Sequence, residues 1–521
     1  MRLSQRVARV VANPSFGPDV PFPSQFIPLG DYLPDIPPHS NPGLITMSNA
    51  VPIDHKSYGP LPDFAATAGA ANARPQGAFA GTDNSGNALI MVGSASRLEQ
   101  LSAASVTFSN VSRSAGYTTA ADEIWDFDQF GLRIIATNLA DAPQGFLIGT
   151  DTLFSNLSGS PPRARYCRTV RDFVMLANIV DAADGTRPQR VHWCEQGVET
   201  SWPTVGTAAA AAALSDNREL RGSGGWNQGL VAGIGPLDCV VLQERAIFRG
   251  MYTGQPLVFD FERVNGANGT PIPGSIIQFG NAVAYISEAG FEIFDGSQTY
   301  KIGANKVDRE FWDNVNLTYL SRVSGAWDPA NKRLMWSWPS GSNTTPDRVM
   351  IYVPHLDRWA TATITLTRLI RGMGLGYTLD QLDTISTSID ALPFSLDSRA
   401  WSNNRGILGA FNSAFTYGTL SGANLAASFT TAEREASNGQ MMLTYGIRPF
   451  VHGGTVTVAM GHRATPDASV TTTSAVSPEA DGIGKIRVRN RYVRNIVNVA
   501  AGGNWHCAQH FELYAKPDGW R

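Results

Sequence analysis

The feature that most limits this chain is a recurring unit too small to hide its own apolar side chains. In "NAVAYISEAGFEIFDGSQTYKIG" (281–303), three apolar runs span 282–286, 291–294 and 300–302, with Glu288-Ala289-Gly290 and Asp295-Gly296-Ser297 between them. Gly, Asp and Asn at such breaks favour tight turns, so the stretch reads as short antiparallel strands. The same texture begins near residues 87, 130, 171, 237, 281 and 331, in steps of 43, 41, 66, 44 and 50. Repeats of this length point to a β-propeller, in which each sheet has two apolar faces that only its neighbours in a ring can cover.

The expected fold is therefore all-β: a propeller of about six to eight blades over residues 66–435, closed by residues near 44–51. A diverged unit is expected at 388–430, and "KVDREFWDNVN" (306–316) reads as one short helical connection. The long step holds "TVGTAAAAAALSDNRELRGSGGWNQG", an inserted helix or loop.

Flanking texture differs on each side. Residues 14–62 carry twelve of the 31 prolines, which argues against helix and regular ladders and favours extended chain. Phe22, Phe26, Ile27, Leu29, Tyr32 and Leu33 are too apolar for a solvated linker. Residues 1–65 are thus expected to form an arm lying on the chain's own surface or a neighbour's. After residue 436, stretches such as "KIRVRNRYVRNIVNVAAGG" and "WHCAQHFELYA" alternate strictly, so a β-sandwich or barrel is expected over 436–521.

Charged residues are 16% of the chain against roughly 25% in ordinary soluble domains, which suggests surface covered by other subunits. A net charge of -3 argues against a protein that wraps phosphates. Six lysines stand against 35 arginines, a bias that fits interfaces and fits GC-rich codon usage equally well. Cys167, Cys194, Cys239 and Cys507 are too scattered for a disulfide framework or a structural zinc site. With neither a signal-like apolar segment nor a run of membrane-spanning length, the product is expected to be made in a cytoplasm.

The candidate chemical groups are weak as patterns. His506 and His510, with Cys507 between them, have helical metal-ligand spacing, but they lie in a strand-like context and lack the glutamate of HExxH. His192, Cys194 and Glu195 lack the PCxxC of a zinc deaminase. "DFDQFG" (126–131) and "DAADGT" (181–186) resemble calcium loops, yet their twelfth positions are Thr137 and His192 rather than Glu. Asp122, Asp238 and Asp328 near blade starts are the carboxylates a propeller glycosidase would have to bring together. Lys485, Arg487, Arg489 and Arg491 share one strand face that could grip phosphates, or be a solvated edge making subunit salt bridges. No catalytic, cofactor-binding or metal residue is assigned.

Three stretches carry a family resemblance: "PLGDYLPDIPPHSNPGLITMSNAVPIDHKSYGPLPDF" (28–64), "VSGAWDPANKRLMWSWPS" (323–340) and "RNRYVRNIVNVAAGGNWHCAQHFELYAKPDGWR" (489–521). Together they resemble the propeller-bearing tail-tube proteins of short-tailed phages, known as tail nozzle, tail hub or packaged-DNA-stabilisation proteins. The resemblance implies a structural virion protein, a homo-hexamer below the portal and head–tail adaptor. It would meet other tail proteins such as fibres and needle or tip, with double-stranded DNA passing through the lumen. It implies no enzyme and no cofactor. The alternatives are a glycan- or receptor-binding propeller, which needs aromatics clustered at one ring mouth, and a propeller hydrolase, which needs converging carboxylates.

Overall fold

A computed structural model describes residues 23–102, 106–373, 406–436 and 439–519, together with Ser388. Seven four-stranded antiparallel sheets follow one another along the chain. Their innermost strands are Gly77–Thr82, Asp126–Phe130, Arg163–Val170, Asn227–Ile234, Ile277–Phe279, Ser324–Asp328 and Arg368–Met373, opening blades one to seven. Neighbouring blades pack side by side, and the inner strand of blade seven packs on that of blade one. The ring is closed. The sequence repeats at 87 through 331 fall on or close to the second strands, where the apolar runs are longest.

Blade five shows why the pattern builds a propeller. Its strands Ala282–Ser287 and Gly290–Phe294 pair with Ser287 opposite Gly290, so Glu288-Ala289 is the whole turn. The Asp295 carboxylate accepts the N–H groups of Ser297 and Gln298, each at 2.8 Å, and shapes the next turn. Consecutive residues 283–286 are all fully buried, because the strand is covered on both faces. Val283 and Tyr285 join blade four's Val240 and Leu242, while Ala284 and Ile286 join blade six's Met335 and Trp336. Period-two alternation here divides two cores rather than core from water.

Polar clasps accompany this packing. The Trp336 indole donates to the Ser275 carbonyl at 2.8 Å, across blades five and six. Ser324 and Leu369 exchange hydrogen bonds of 3.1 and 3.0 Å between blades six and seven. Between blades one and two, Trp125 donates to the Ser94 carbonyl at 2.8 Å. It is seated on Gly77 and Gly93, which stand opposite each other. A Cβ on either would come within 2.0–2.3 Å of Trp125.

The two helices are short. Ala208–Ala213, capped by Thr207, sits between the third and fourth strands of blade three and accounts for the long repeat step. Asp308–Asn314 lies within the expected 306–316 connection.

Ring closure differs from the expected segment. The outermost strand of blade seven is Pro62–Ala70, not residues 44–51. That strand is rich in small residues and mostly half-buried, as suits a position covered on one edge only. Leu44–Ser48 and Ala50–Pro52 are more thoroughly buried, and they enter the second domain instead. Part of the diverged unit at 388–430 supplies the middle strands Gly406–Phe411 and Thr416–Asn424 of blade seven; residues 389–405 lie outside the described residues.

The second domain stacks two six-stranded sheets, in contact through Phe429 with Tyr58 at 5.6 Å and Trp505 at 6.4 Å between ring centroids. Its long C-terminal strands, Met442–Gly453 and Trp505–Pro517, pair with each other. The proline-rich arm adds four strands: Ser24–Pro28, Leu44–Ser48, Ala50–Pro52 and Tyr58–Pro60. The described part of the arm therefore lies on its own chain. Its prolines limit it to short strands, but its apolar residues still need a core.

Arm and ring are clasped by Arg358 on the outer strand of blade six. Its side chain is 2% exposed and sits 2.6 Å from Asp31. It donates to the carbonyls of Gly30 at 2.8 Å and Asp54 at 2.6 Å, and lies over the Tyr58 ring at 4.4 Å. Asn49 extends the junction by pairing with Thr361 and Thr363.

Two outcomes are expected. Gly418→Val pushes a Cβ that would already lie 2.1 Å from the Ala65 carbonyl into the closing strand. It should cost about 1–3 kcal/mol, and limited proteolysis should cut near residue 70 before the rest of the ring. Arg358→Met should cost about 2–4 kcal/mol in denaturant titration, because several buried acceptors lose their donor. Arg358→Lys should not restore it, since one ammonium cannot reach all those acceptors.

Candidate functional site

The three carboxylates noted at blade starts are bound locally rather than gathered. Asp328 accepts the N–H groups of Ala330 and Asn331 and pairs with Arg333 at 2.9 Å, forming the turn before the aromatic strand Arg333–Trp338. Asp238 accepts the Tyr252 N–H at 2.6 Å and lies 3.5 Å from Arg171. Asp122 lies 3.6 Å from Arg322, which belongs to the connection between blades five and six. That contact runs from the blade one–two connection to the opposite side of the ring.

The calcium-like loops resolve into strand residues and a turn. Asp126 and Asp128 lie on the inner strand of blade two and fasten it to blade three. Asp126 takes Arg168 Nη1 on both oxygens at 2.8 Å, and also the Cys167 N–H at 3.0 Å. Asp128 accepts the Thr169 N–H. Burial pushes the Asp128 carboxyl upward against the pull of Arg168. Asp181 and Asp184 sit at the hairpin turn of blade three, where Asp184 pairs with Arg190 at 2.5 Å.

Neither histidine cluster forms a ligand set. Among the described residues, no group of three or more His, Cys, Asp or Glu is arranged to hold a metal. His506 is exposed and His510 half-buried on the strand Trp505–Pro517, where the His510 ring stacks on Phe450 at 4.0 Å and meets Phe26 at a tilt, 4.5 Å between centroids. Cys507 lies between them in sequence but on the alternate position of the strand. In blade three His192 is buried edge-to-face against Trp202, 5.5 Å between centroids, and neither ring nitrogen has a hydrogen-bond partner. Burial pushes its pKa down to about 4, with the Arg190 charge helping and Asp181 opposing. Cys194 accepts the Val174 N–H at 3.1 Å, and burial pushes its thiol up to about 12, so it is a poor nucleophile at neutral pH. Glu195, half-buried, follows directly in the loop.

The basic face exists as an edge strand. Lys485, Arg487 and Arg489 point outward from Gly484–Asn490, while Ile486 and Val488 are buried between them. Two of those charges have internal partners: Lys485 pairs with Glu479, and Arg489 lies 2.6 Å from Asp518. Arg491 is only half-exposed, in the turn that follows.

The feature sequence reasoning missed is the ring axis. A cavity of about 150 Å³ is lined by residues of blades two to seven, with Asp126, Arg168 and Arg368 as its charged members. Gln228 and Gln278 supply amides and Tyr166 a hydroxyl. Nothing in linear spacing signals this group, because its members are spread over five inner strands, with Tyr166 and Arg168 alone sharing one.

The chain matches no protein family and no curated protein. Among solved structures it is similar to BamB from Moraxella catarrhalis, at 13% identity and a TM-score of 0.34, covering 72% of this chain and 95% of that one. The propeller assignment rests on the seven sheets themselves.

His192 provides a pH test of this region. The unfolded chain binds a proton near pH 6.5 and the folded one only near pH 4. Stability should therefore be complete above pH 6.5 and fall as pH drops toward 4, by roughly 3 kcal/mol in all. In His192→Phe, which keeps the ring contact with Trp202, that part of the pH dependence of thermal unfolding should vanish.

Proposed function

We propose that this chain is a structural protein of a short-tailed phage tail, a nozzle or hub component that assembles around the DNA path as a homo-hexamer. The observation that carries this reading is mechanical. One N-terminal segment supplies four strands to the sandwich, is clamped to blade six by Arg358, and then closes the ring through Pro62–Ala70. Such interlocking suits a spacer that must transmit load without coming apart. The resemblance of residues 28–64, 323–340 and 489–521 to tail-tube proteins adds to it, as do the arginine bias and low charge content.

On this reading DNA would pass between subunits, below the portal and head–tail adaptor, and not through the propeller. The axial cavity of about 150 Å³ has no room for a duplex whose major groove alone is about 12 Å wide. The near-neutral total charge fits DNA that must slide rather than stick. The edge strand bearing Lys485, Arg487 and Arg489 would be a contact for acidic neighbours.

A second reading, a glycan-binding propeller, draws on Trp226. It is 54% exposed beside Arg187, Gln189 and Arg245, which line a surface cleft with it. An aromatic face beside polar side chains is the usual chemistry of sugar recognition.

Antibodies raised against the purified chain should decorate the tail of particles released from cells carrying its gene, with about six copies per particle by quantitative mass spectrometry. Particles lacking the protein would overturn the tail reading. Polysaccharide binding that disappears in Trp226→Ala, with no protein in particles, would favour the second.

A further inference from the structure

We propose that the propeller axis binds one small tetrahedral oxyanion, phosphate or sulfate, against the Arg368 guanidinium. Two arginines and one aspartate supply the charge of the axial cavity. Arg168 is ion-paired: its Nη1 lies within hydrogen-bond distance of both Asp126 oxygens and of the carbonyls of Phe127 and Cys167. Asp126 is engaged in turn by Arg168 and the Cys167 N–H. Arg368 is the group left over.

Arg368 opens the inner strand of blade seven, and its Nε is buried without a hydrogen-bond partner. No carboxylate among the described residues lies within ion-pair distance of it. A second guanidinium and one carboxylate act on it from nearby. Burial pushes its pKa down to about 10, with the Arg74 charge helping and the Asp126 charge opposing. Arg74 donates to the Ala121 carbonyl and is itself held below its usual value by burial and the Arg322 charge. Arg322 stands with its Nε 3.6 Å from Asp122 and donates through Nη1 to the Thr344 carbonyl at 2.6 Å. These guanidiniums gather where loops from opposite sides of the ring meet.

A half-buried guanidinium with an unpaired Nε and no ion pair of its own is costly, and an anion in the cavity offsets that cost. The planar fork of arginine matches two oxygens of a tetrahedral oxyanion. The Gln278 amide lines the same space and now reaches the Ala232 carbonyl at 2.7 Å. A volume of about 150 Å³ admits one such ion but not a polymer. The inference does not rest on the tail reading, and either can fail without the other.

The test uses the full chain, with phosphate, sulfate or acetate titrated calorimetrically against chloride at matched ionic strength. Ion chromatography of denatured protein checks for an ion carried through purification. The expected result is one phosphate or sulfate per chain and a raised Tm, with at least tenfold weaker binding in both Arg368→Gln and Gln278→Glu. Arg249→Gln, on the third strand of blade four and away from the axis, should bind as the unaltered chain does. Should Arg368→Gln fail to fold, Gln278→Glu decides, since it keeps the size of the side chain and adds a negative charge to the cavity. The proposal is overturned by no binding and no carried ion in the unaltered chain, or by unchanged affinity in the variants. Acetate binding as well as phosphate, or displacement of the ion by an oligonucleotide too large for the cavity, also overturns it.

Discussion

Everything in this structure depends on sheets that are apolar on both faces. A blade such as Ile277–Lys301 would leave Val283 and Tyr285 wet on one side and Ala284 and Ile286 wet on the other. Fully burying such side chains is worth about 1.5–3 kcal/mol each, so a lone blade has no stable existence in water. Covering both faces of every blade requires a series with no first and no last member. A closed ring is that series, and the contact of Arg368–Met373 with Gly77–Thr82 completes it.

Closure of this kind leaves the join as the vulnerable place. Here the join is made within blade seven, where Pro62–Ala70 from the N-terminal side pairs with Thr416–Asn424. The segment just before it is woven into the sandwich and held by Arg358, so opening the ring would also have to disturb a buried junction. The two domains are thereby coupled through backbone order as well as through surface contact. That coupling supports a mechanical role more directly than any single side chain does.

Much of the repeat was legible because strand and turn chemistry is local. The runs and breaks of 281–303 map onto three strands of one blade, and "DPANKR" onto the Asp328 turn. The helices at 208–213 and 308–314 were foreshadowed by an alanine run and by a short amphipathic stretch. Other signals were ambiguous for a physical reason. Asp126 and Asp128 have the composition of a loop that binds a cation, yet the cation they meet is Arg168 of the next blade. His192 and Cys194 have the composition of a metal site, but both are enclosed in an apolar blade interior. Residues 44–51 looked like a closing strand because they are apolar and extended, properties they share with any sandwich strand.

By itself the sequence determined that this chain is built of short antiparallel strands in units that need neighbours, since turn residues and apolar alternation act over a few positions. It also determined that the arm could be neither helix nor solvated coil, because proline density excludes the first and its many apolar residues the second. Tertiary structure alone decided that there are seven blades, which segment closes them, and that the arm belongs to the sandwich. It alone brought Arg168, Arg368 and Asp126 to a common axis. Those outcomes depend on pairings between residues hundreds of positions apart, where the energy lies in complementary shape and charge and leaves no local mark on the chain.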